Sequence, residues 1–173
     1  MKRYIFISLL ITFLMVRAEW RVQGGLLTDL GTSVVVGIER NFFIAKAISI
    51  NASVSYAYGS ESDRWLWFET NASHHLIMPG VDFSAYLIKG RVKNFEPYLD
   101  FGGGYVFAVG RKKGTKGETD TGINNGGFVK ITFGSDFPVK APVMPFVEMG
   151  AWVIVGVGGG THTKFALLSG LRF

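Results

Sequence analysis

The last ten residues of the 173-residue chain, Lys164-Phe165-Ala166-Leu167-Leu168-Ser169-Gly170-Leu171-Arg172-Phe173, alternate in character like a β-strand with two different faces. Successive side chains of a strand point to opposite sides. One side therefore carries an apolar set that is broken only by a serine: Phe165, Leu167, Ser169, Leu171 and Phe173. The other side carries Lys164 and Arg172 at its ends. The stretch predicts a strand that is apolar on one face and carries cations on the other.

The same alternation recurs upstream. The clearest example is residues 48–58, where apolar residues recur every second position, whereas a helix would need them three and four apart. Similar segments cover about 19–27, 33–40, 76–88, the stretch that begins at Pro97, 126–137 and 145–155. Pro79 predicts a bulge or a break in pairing, because proline has no N–H for a ladder. The sequence thus predicts eight strands of about 9 to 13 residues, the length that crosses a bilayer when tilted.

The chain opens with an export signal. Met1-Lys2-Arg3 is basic, residues 4–16 are apolar, and Val16-Arg17-Ala18 fits the end of a signal peptide. An uncleaved membrane helix would need roughly 20 apolar residues, and this run is shorter. We therefore predict two parts: a signal peptide at 1–18, cleaved after Ala18, and a barrel domain at 19–173.

Composition restricts the function classes. The formal charge is +5, but three bases and no acid lie in the predicted signal, which leaves +2 for residues 19–173. A charge this small gives no reason to expect a nucleic-acid partner. The chain has no cysteine, so an exported domain of this size is not held by disulfides. Its 48% hydrophobic residues are spread through alternating segments, which is how a membrane barrel distributes them.

An even number of strands that ends at the last residue allows the first strand to pair with the last. Such closure leaves no unpaired edge, which a membrane-spanning sheet requires. The connections after strands two, four and six are compact, and those after three and five are long and polar. We predict an all-β fold, an eight-stranded antiparallel up-and-down transmembrane β-barrel.

The motif Pro97-Tyr98-Leu99-Asp100-Phe101-Gly102-Gly103-Gly104-Tyr105 and its echo at Pro145, with the export signal and the terminal Phe173, resemble the OmpA/OmpX-like outer-membrane β-barrel superfamily. The resemblance implies a bacterial outer-membrane location, contact with lipid and lipopolysaccharide, and a monomer. It also implies that Leu171 and Phe173 act as a barrel-closing signal read by the barrel-assembly machinery. Two departures are the absence of a peptidoglycan-binding domain and Ser169 on the apolar face.

The positions opposite the apolar ones define a predicted lumen. Its charged members are Arg21, Glu39, Asp82, Asp100, Lys130, Asp136, Glu148, Lys164 and Arg172. An eight-stranded barrel is just wide enough to be filled by side chains, so these charges must pair. Such a network either packs the barrel or forms a gated path for protons, ions or small solutes, and the strand number favours packing.

Other polar groups give weaker signals. His74, His75 and His162 fall in or beside predicted outside loops, and no metal or cofactor site is predicted from a His-His pair alone. His162 and Ser169 suggest a lipid A-modifying enzyme, but they lie more than about 20 Å apart along an extended strand. The basic cluster Arg111, Lys112, Lys113 and Lys116 is either a solvated loop or a contact for anionic lipopolysaccharide.

We therefore predict a structural or surface-interaction protein that is not an enzyme. One alternative is passage of small hydrophobic solutes through a narrow or laterally open barrel, as in OmpW-like proteins, for which Trp152 and Ile154 on the lumen side are the only indication. Another is a secreted, lipocalin-like barrel that needs no membrane.

Overall fold

Eight antiparallel strands pair in chain order, and the first also pairs with the last, so the sheet closes into a barrel. The computed structural model describes residues 18–28, 32–65, 68–88, 94–113, 119–139 and 142–173. The strands are β1 Ala18–Thr28, β2 Thr32–Ala45, β3 Ile48–Trp65, β4 Phe68–Tyr86, β5 Glu96–Lys113, β6 Thr119–Asp136, β7 Met144–Val155 and β8 Thr161–Arg172. The predicted fold class is confirmed. Residues 1–17 lie outside the described part, so the signal peptide stays a prediction.

The strands are staggered as they pass around the barrel. One row of paired residues starts at Ala18 of β1 and returns to β1 at Thr28, which is a displacement of ten residues. Its members are Ala18, Phe42, Ile50, Phe83, Phe101, Ile131, Ala151, Phe165 and Thr28. Strand tilt, stagger and diameter are linked in a closed barrel, and eight strands leave an interior that side chains can fill.

The barrel has two ends, which we name by the first strand. β1 begins and β8 ends at the near rim, where the backbones of Trp20 and Phe173 exchange two hydrogen bonds of 2.8 and 2.9 Å. The far rim holds the β7–β8 connection, which contains a one-turn 3-10 helix at Val157–Gly159. Within the described ranges, no helix is long and apolar enough to cross a membrane.

Five strands are several residues longer than predicted. The segments 59–74 and 111–125, expected to be polar loops, are largely strand, because β3 pairs with β4 up to Trp65 and Phe68, and β5 pairs with β6 up to Lys113 and Thr119. β2 likewise continues to Ala45. Alternating hydrophobicity reports a strand only where one face is buried. Beyond the far rim neither face needs to be apolar, so the pairing there left no such signal.

Pro79 interrupts only one of its two ladders. It pairs with Val54 of β3, whereas the β4–β5 pairing passes from Ile77 and Phe107 to Gly80 and Gly104 without partners for the residues between. The register is the same on both sides of this gap, so the break is not a bulge. A missing N–H donor explains a local gap without a shift.

The outer face of the barrel is apolar. Aliphatic side chains such as Val36, Val81 and Ile131 are about half exposed there. Exposed aromatic residues lie towards both ends: Trp20, Phe95 and Phe173 near one rim, and Tyr56, Tyr58, Tyr105 and Phe107 near the other. In the half towards the near rim, polar and charged residues alternate with these and are buried, which is the reverse of the arrangement in a water-soluble barrel.

Candidate functional site: the barrel interior

The interior consists of two layers with different chemistry. The half towards the near rim contains buried charged residues, and the half towards the far rim contains a buried hydrophobic cluster. The side chains of both layers point inward because every second residue of a strand faces the same side of the sheet. We call them the charge layer and the apolar layer.

Arg21 of β1 lies at the centre of the charge layer and is completely buried. Its guanidinium is 3.1 Å from the Glu148 carboxylate and 3.4 Å from that of Glu39, and it lies 3.9 Å from Asp136. The guanidinium carbon also sits 4.0 Å above the centre of the Phe146 ring. Delocalised charge and five donors suit arginine to several acidic partners at once. Arg21 thereby connects β1 to β2, β6 and β7.

Glu148 is held by three other residues. It accepts hydrogen bonds from Thr132 Oγ1 at 2.6 Å and from the Tyr98 hydroxyl at 3.1 Å, in addition to its contact with Arg21. Arg21 also donates to the Tyr98 hydroxyl. The Tyr98 ring lies over Gly134, its partner on β6, where a β-carbon would overlap the ring. A glycine at this position gives the tyrosine the room it needs to reach the two charges.

Lys130 of β6 bridges two carboxylates. Its ammonium is 2.9 Å from Asp82 of β4 and 3.2 Å from Asp100 of β5. Asp100 also accepts a hydrogen bond of 2.7 Å from Ser84, which in turn accepts one of 2.6 Å from Asn51. All five side chains are buried. This cluster spans four consecutive strands.

Arg172 of β8 forms the third group. It contacts Asp136 and the Tyr86 hydroxyl, and Tyr86 donates a hydrogen bond of 2.9 Å to Asp136. Asn41 connects Arg172 to Glu39, which is one of the acids around Arg21. With the side-chain amide of Asn41 turned to satisfy both contacts, its nitrogen donates to the Glu39 carboxylate at 2.7 Å and its oxygen accepts a hydrogen bond from Arg172 at 3.2 Å. The last strand is therefore tied to β2, β4 and β6 through the interior, as well as to its neighbours through the ladders.

The apolar layer is built around a pair of rings. Phe128 and Trp152 stack with their centroids 5.5 Å apart and their planes 14° from parallel. Around them pack ten more buried hydrophobic residues: Leu27, Val35, Ala57, Leu76, Met78, Val106, Ala108, Ile154, Ala166 and Leu168. Trp152 also meets the charge layer, because the Lys130 ammonium lies 5.5 Å from its ring centre.

Eight of the nine predicted lumen charges lie together in the charge layer: Arg21, Glu39, Asp82, Asp100, Lys130, Asp136, Glu148 and Arg172. Lys164 is also buried but lines a cavity at the far rim with His74 and His162. A functional role for the network stays a prediction.

The remaining predicted site residues lie on the outside of the barrel or in strands. Leu171 and Phe173 are exposed on the outer face beside the seam between β1 and β8. Arg111 is exposed on β5, not in a loop. Lys112 and Lys113 belong to the same strand, but their side chains, and all of Lys116, lie outside the described part. Ser169 is exposed on the outer face of β8.

The histidines lie in strands, where loops or loop edges were predicted, and each has a local partner. His74 contacts the Ser33 hydroxyl at 3.0 Å, His75 contacts the Tyr56 hydroxyl at 2.7 Å, and His162 donates to the Val157 carbonyl at 3.3 Å. Among the described residues, no group of three or more His, Cys, Asp or Glu side chains could hold a metal ion.

Sequence reasoning left several members of the interior out of the predicted network. Asn41, Tyr86 and Tyr98 are buried and hydrogen-bonded to the charges. Each has the same strand parity as a charge that was assigned, namely Glu39, Asp82 and Asp100. Extending the alternation to uncharged polar and aromatic residues would have found all three.

Solved structures of other proteins share this architecture. The N-terminal β-barrel domain of OprF from Pseudomonas aeruginosa aligns with a TM-score of 0.52 at 13% identity, over 90% of this chain and 96% of that one. Neisserial surface protein A (NspA) aligns with a TM-score of 0.54 at 12% identity, over 90% and 94%. The fold is that of the eight-stranded outer-membrane β-barrels. This confirms the resemblance to OmpA/OmpX-like proteins as a matter of fold, since identities this low show nothing finer.

No protein-family model matches the sequence, and no curated protein sequence matches it. Function therefore has to be argued from the distribution of side chains in the barrel itself.

Proposed function

We propose that this chain is a monomeric bacterial outer-membrane barrel with a structural and surface-interaction role, exported through a cleaved signal peptide at 1–18. The observation that carries the proposal is the reversed side-chain distribution. Charges such as Arg21 and Lys130 are buried inside, while the outer face exposes aliphatic residues between aromatic ends. In water this outer face would aggregate, whereas in a bilayer it matches the hydrocarbon core and its two interfaces.

This distribution also argues against the lipocalin-like alternative, because a secreted barrel in water needs a polar outer face. In the membrane, the near rim with the closing strand faces the periplasm, and β8 presents Leu171 and Phe173 to the assembly machinery. The far rim, with the longer β3–β4 and β5–β6 hairpins, faces outside. These hairpins supply the surface for interaction.

The filled interior supports a barrel that conducts nothing. Charges close one half and the stacked pair of Phe128 and Trp152 lies in the other. The OmpW-like alternative needs a path through the apolar layer or the barrel wall. The buried cluster around these rings gives it no support.

Planar-bilayer recording tests the closed barrel. We expect no discrete conductance steps from the wild-type protein, and none from a Phe128→Ala/Trp152→Ala variant, in which the charge layer still closes the half towards the near rim. Folding of each sample is checked by its changed gel migration on boiling. Steps from the wild type, or cellular uptake of a small hydrophobic compound through it, would contradict the proposal. Unchanged migration on boiling, together with solubility without detergent, would support the lipocalin-like barrel instead.

We further propose that the outer face at the far rim contacts the phosphates of lipopolysaccharide. Arg111 is exposed there, two residues beyond Val109, which pairs with His75. His75 in turn contacts Tyr56 and packs on Tyr58 at 5.0 Å between ring centres. Arginine close to interfacial aromatic residues is suited to an anionic headgroup.

Binding of lipid A to the refolded protein tests this contact. We expect Arg111→Gln to weaken binding of bis-phosphorylated lipid A by about 1 kcal/mol, which is roughly fivefold. Lys46→Gln, at an exposed turn of the near rim, is the matched control and should have little effect. Equal binding by Arg111→Gln and wild type, or equal binding of dephosphorylated lipid A, would contradict the contact.

A further inference from the structure

A cavity of about 180 Å³ lies in the far rim above the apolar layer. Nine residues line it: His74, Leu76, Ala108, Gly110, Asn124, Ile154, Val157, His162 and Lys164. They come from β4, β5, β6, β7, β8 and the one-turn helix between the last two strands. The cavity is thus lined by five of the eight strands and is separate from the charge layer.

The floor and the wall of this cavity differ chemically. Leu76, Ala108 and Ile154 belong to the apolar layer and form the floor. The wall carries two histidines, an asparagine and Lys164, which is almost fully buried. None of these nine lining residues is acidic. An apolar pocket with a few convergent polar groups is the usual form of a small-molecule site.

We propose that this cavity binds a small amphipathic carboxylate, with a body about the size of a benzene ring, whose carboxylate is held by Lys164. A cavity of roughly 150 Å³ lined by aliphatic residues can accept benzene, so the volume here fits one ring with a small substituent. The apolar body would lie on Leu76, Ala108 and Ile154. The carboxylate would point towards the polar wall.

Lys164 is the residue that would select an anionic ligand. A lysine ammonium has three donors, so it can hold a ligand carboxylate while keeping another interaction. A hydrogen bond between two charged groups is about twice as strong as a neutral one, and more so away from water. A neutral ligand would gain the apolar contact and at most uncharged hydrogen bonds to the polar wall, which are weaker than a hydrogen bond between charged groups.

The position of the cavity implies binding without passage. Trp152, the cross-strand partner of Lys164, stacks on Phe128 within the apolar layer beneath the floor. A ligand that enters from the far rim therefore leaves by the same route. This site is compatible with the closed barrel proposed above and does not depend on it.

Titration of the full-length, isotope-labelled protein in micelles with benzoate tests the site. We expect the backbone amide signals of Leu76, Ala108 and Ile154 to shift with saturation, while those of the charge layer stay in place. Benzyl alcohol, the neutral analogue, should bind about tenfold more weakly or worse. In Lys164→Met, benzoate affinity should fall at least about tenfold, to the level of benzyl alcohol.

Three further variants make the outcome decisive. Lys164→Arg should keep benzoate binding, which separates loss of charge from misfolding. Ala108→Leu should abolish the shifts with both ligands, because it fills the floor. Lys46→Met removes a charge at the opposite rim and should bind benzoate like the wild type. Equal benzoate affinity in Lys164→Met and wild type would overturn the proposal, as would shifts confined to outer-face amides, which report partition into the micelle.

Discussion

Replacing Lys130 with methionine is expected to lower the free energy of unfolding by about 3–5 kcal/mol. Lys130 lies between Asp82 and Asp100 at 2.9 and 3.2 Å, and all three groups are buried. Methionine keeps most of the side-chain volume but leaves two carboxylates facing each other without a cation. Removing one partner of a buried ion pair costs far more than the net contribution of the intact pair.

Urea titration of the refolded protein, followed by the gel shift of the folded form, measures this effect. Val129→Ala is the matched control: the neighbouring side chain is half exposed on the outer face, so its loss should cost much less. Changing both Asp82 and Asp100 to asparagine in the Lys130→Met background should restore much of the stability. If Lys130→Met is no more destabilising than Val129→Ala, the assignment of Lys130 to a buried charge cluster is wrong.

Glu148→Ala is expected to lower the free energy of unfolding by a similar amount, about 3–5 kcal/mol. It removes one of the acids around Arg21, which is completely buried, and it leaves the hydroxyls of Thr132 and Tyr98 without their acceptor. The same urea titration gives the value. Glu148→Gln keeps the shape and two possible acceptor contacts, so it should fall between Glu148→Ala and wild type.

Val147→Ala provides the comparison for Glu148, because it alters the adjacent residue on the outer face. A register slip of one residue would exchange the environments of these two side chains. Glu148 would then face lipid, and replacing it by an apolar residue would stabilise the protein. Stabilisation by Glu148→Ala would therefore contradict the facing described for the whole strand.

The fold was predictable because the alternation of side-chain character recurs from strand to strand. Runs such as 48–58 alternate strictly, and residues 164–173 alternate in the same way. The strand ends were not predictable in the same way. At the far rim, the paired segments around Trp65 and Thr119 have polar sequences without apolar alternation, so they look like loops.

Alternation gives the side of the sheet on which a residue lies, but it cannot give the partner. Arg21 contacts residues 18, 77 and 127 positions away, and which acids it meets depends on the stagger of the barrel. The stagger of ten residues is not encoded in any single strand. For the same reason, Lys164 could not be separated in the sequence from the other eight charges.

The division of the interior into two layers was also beyond sequence reasoning. Trp152 and Ile154 have inward parity, but height along the barrel axis depends on tilt as well as on position in a strand. Only the assembled barrel brings Phe128 of β6 against Trp152 of β7 at the same level.

The charge layer has a kinetic consequence for barrel closure. Arg21 on the first strand and Arg172 on the last both find acids on strands that are not their neighbours, including Asp136 of β6. Until the seam forms, these acids and bases cannot be neutralised together in one dry interior. Contacts of such large sequence separation form late and slowly. A closure that is out of register by one residue would turn Arg21 outward, away from Glu39 and Glu148. The buried ions thus favour the observed register of the seam over one that is displaced by one residue.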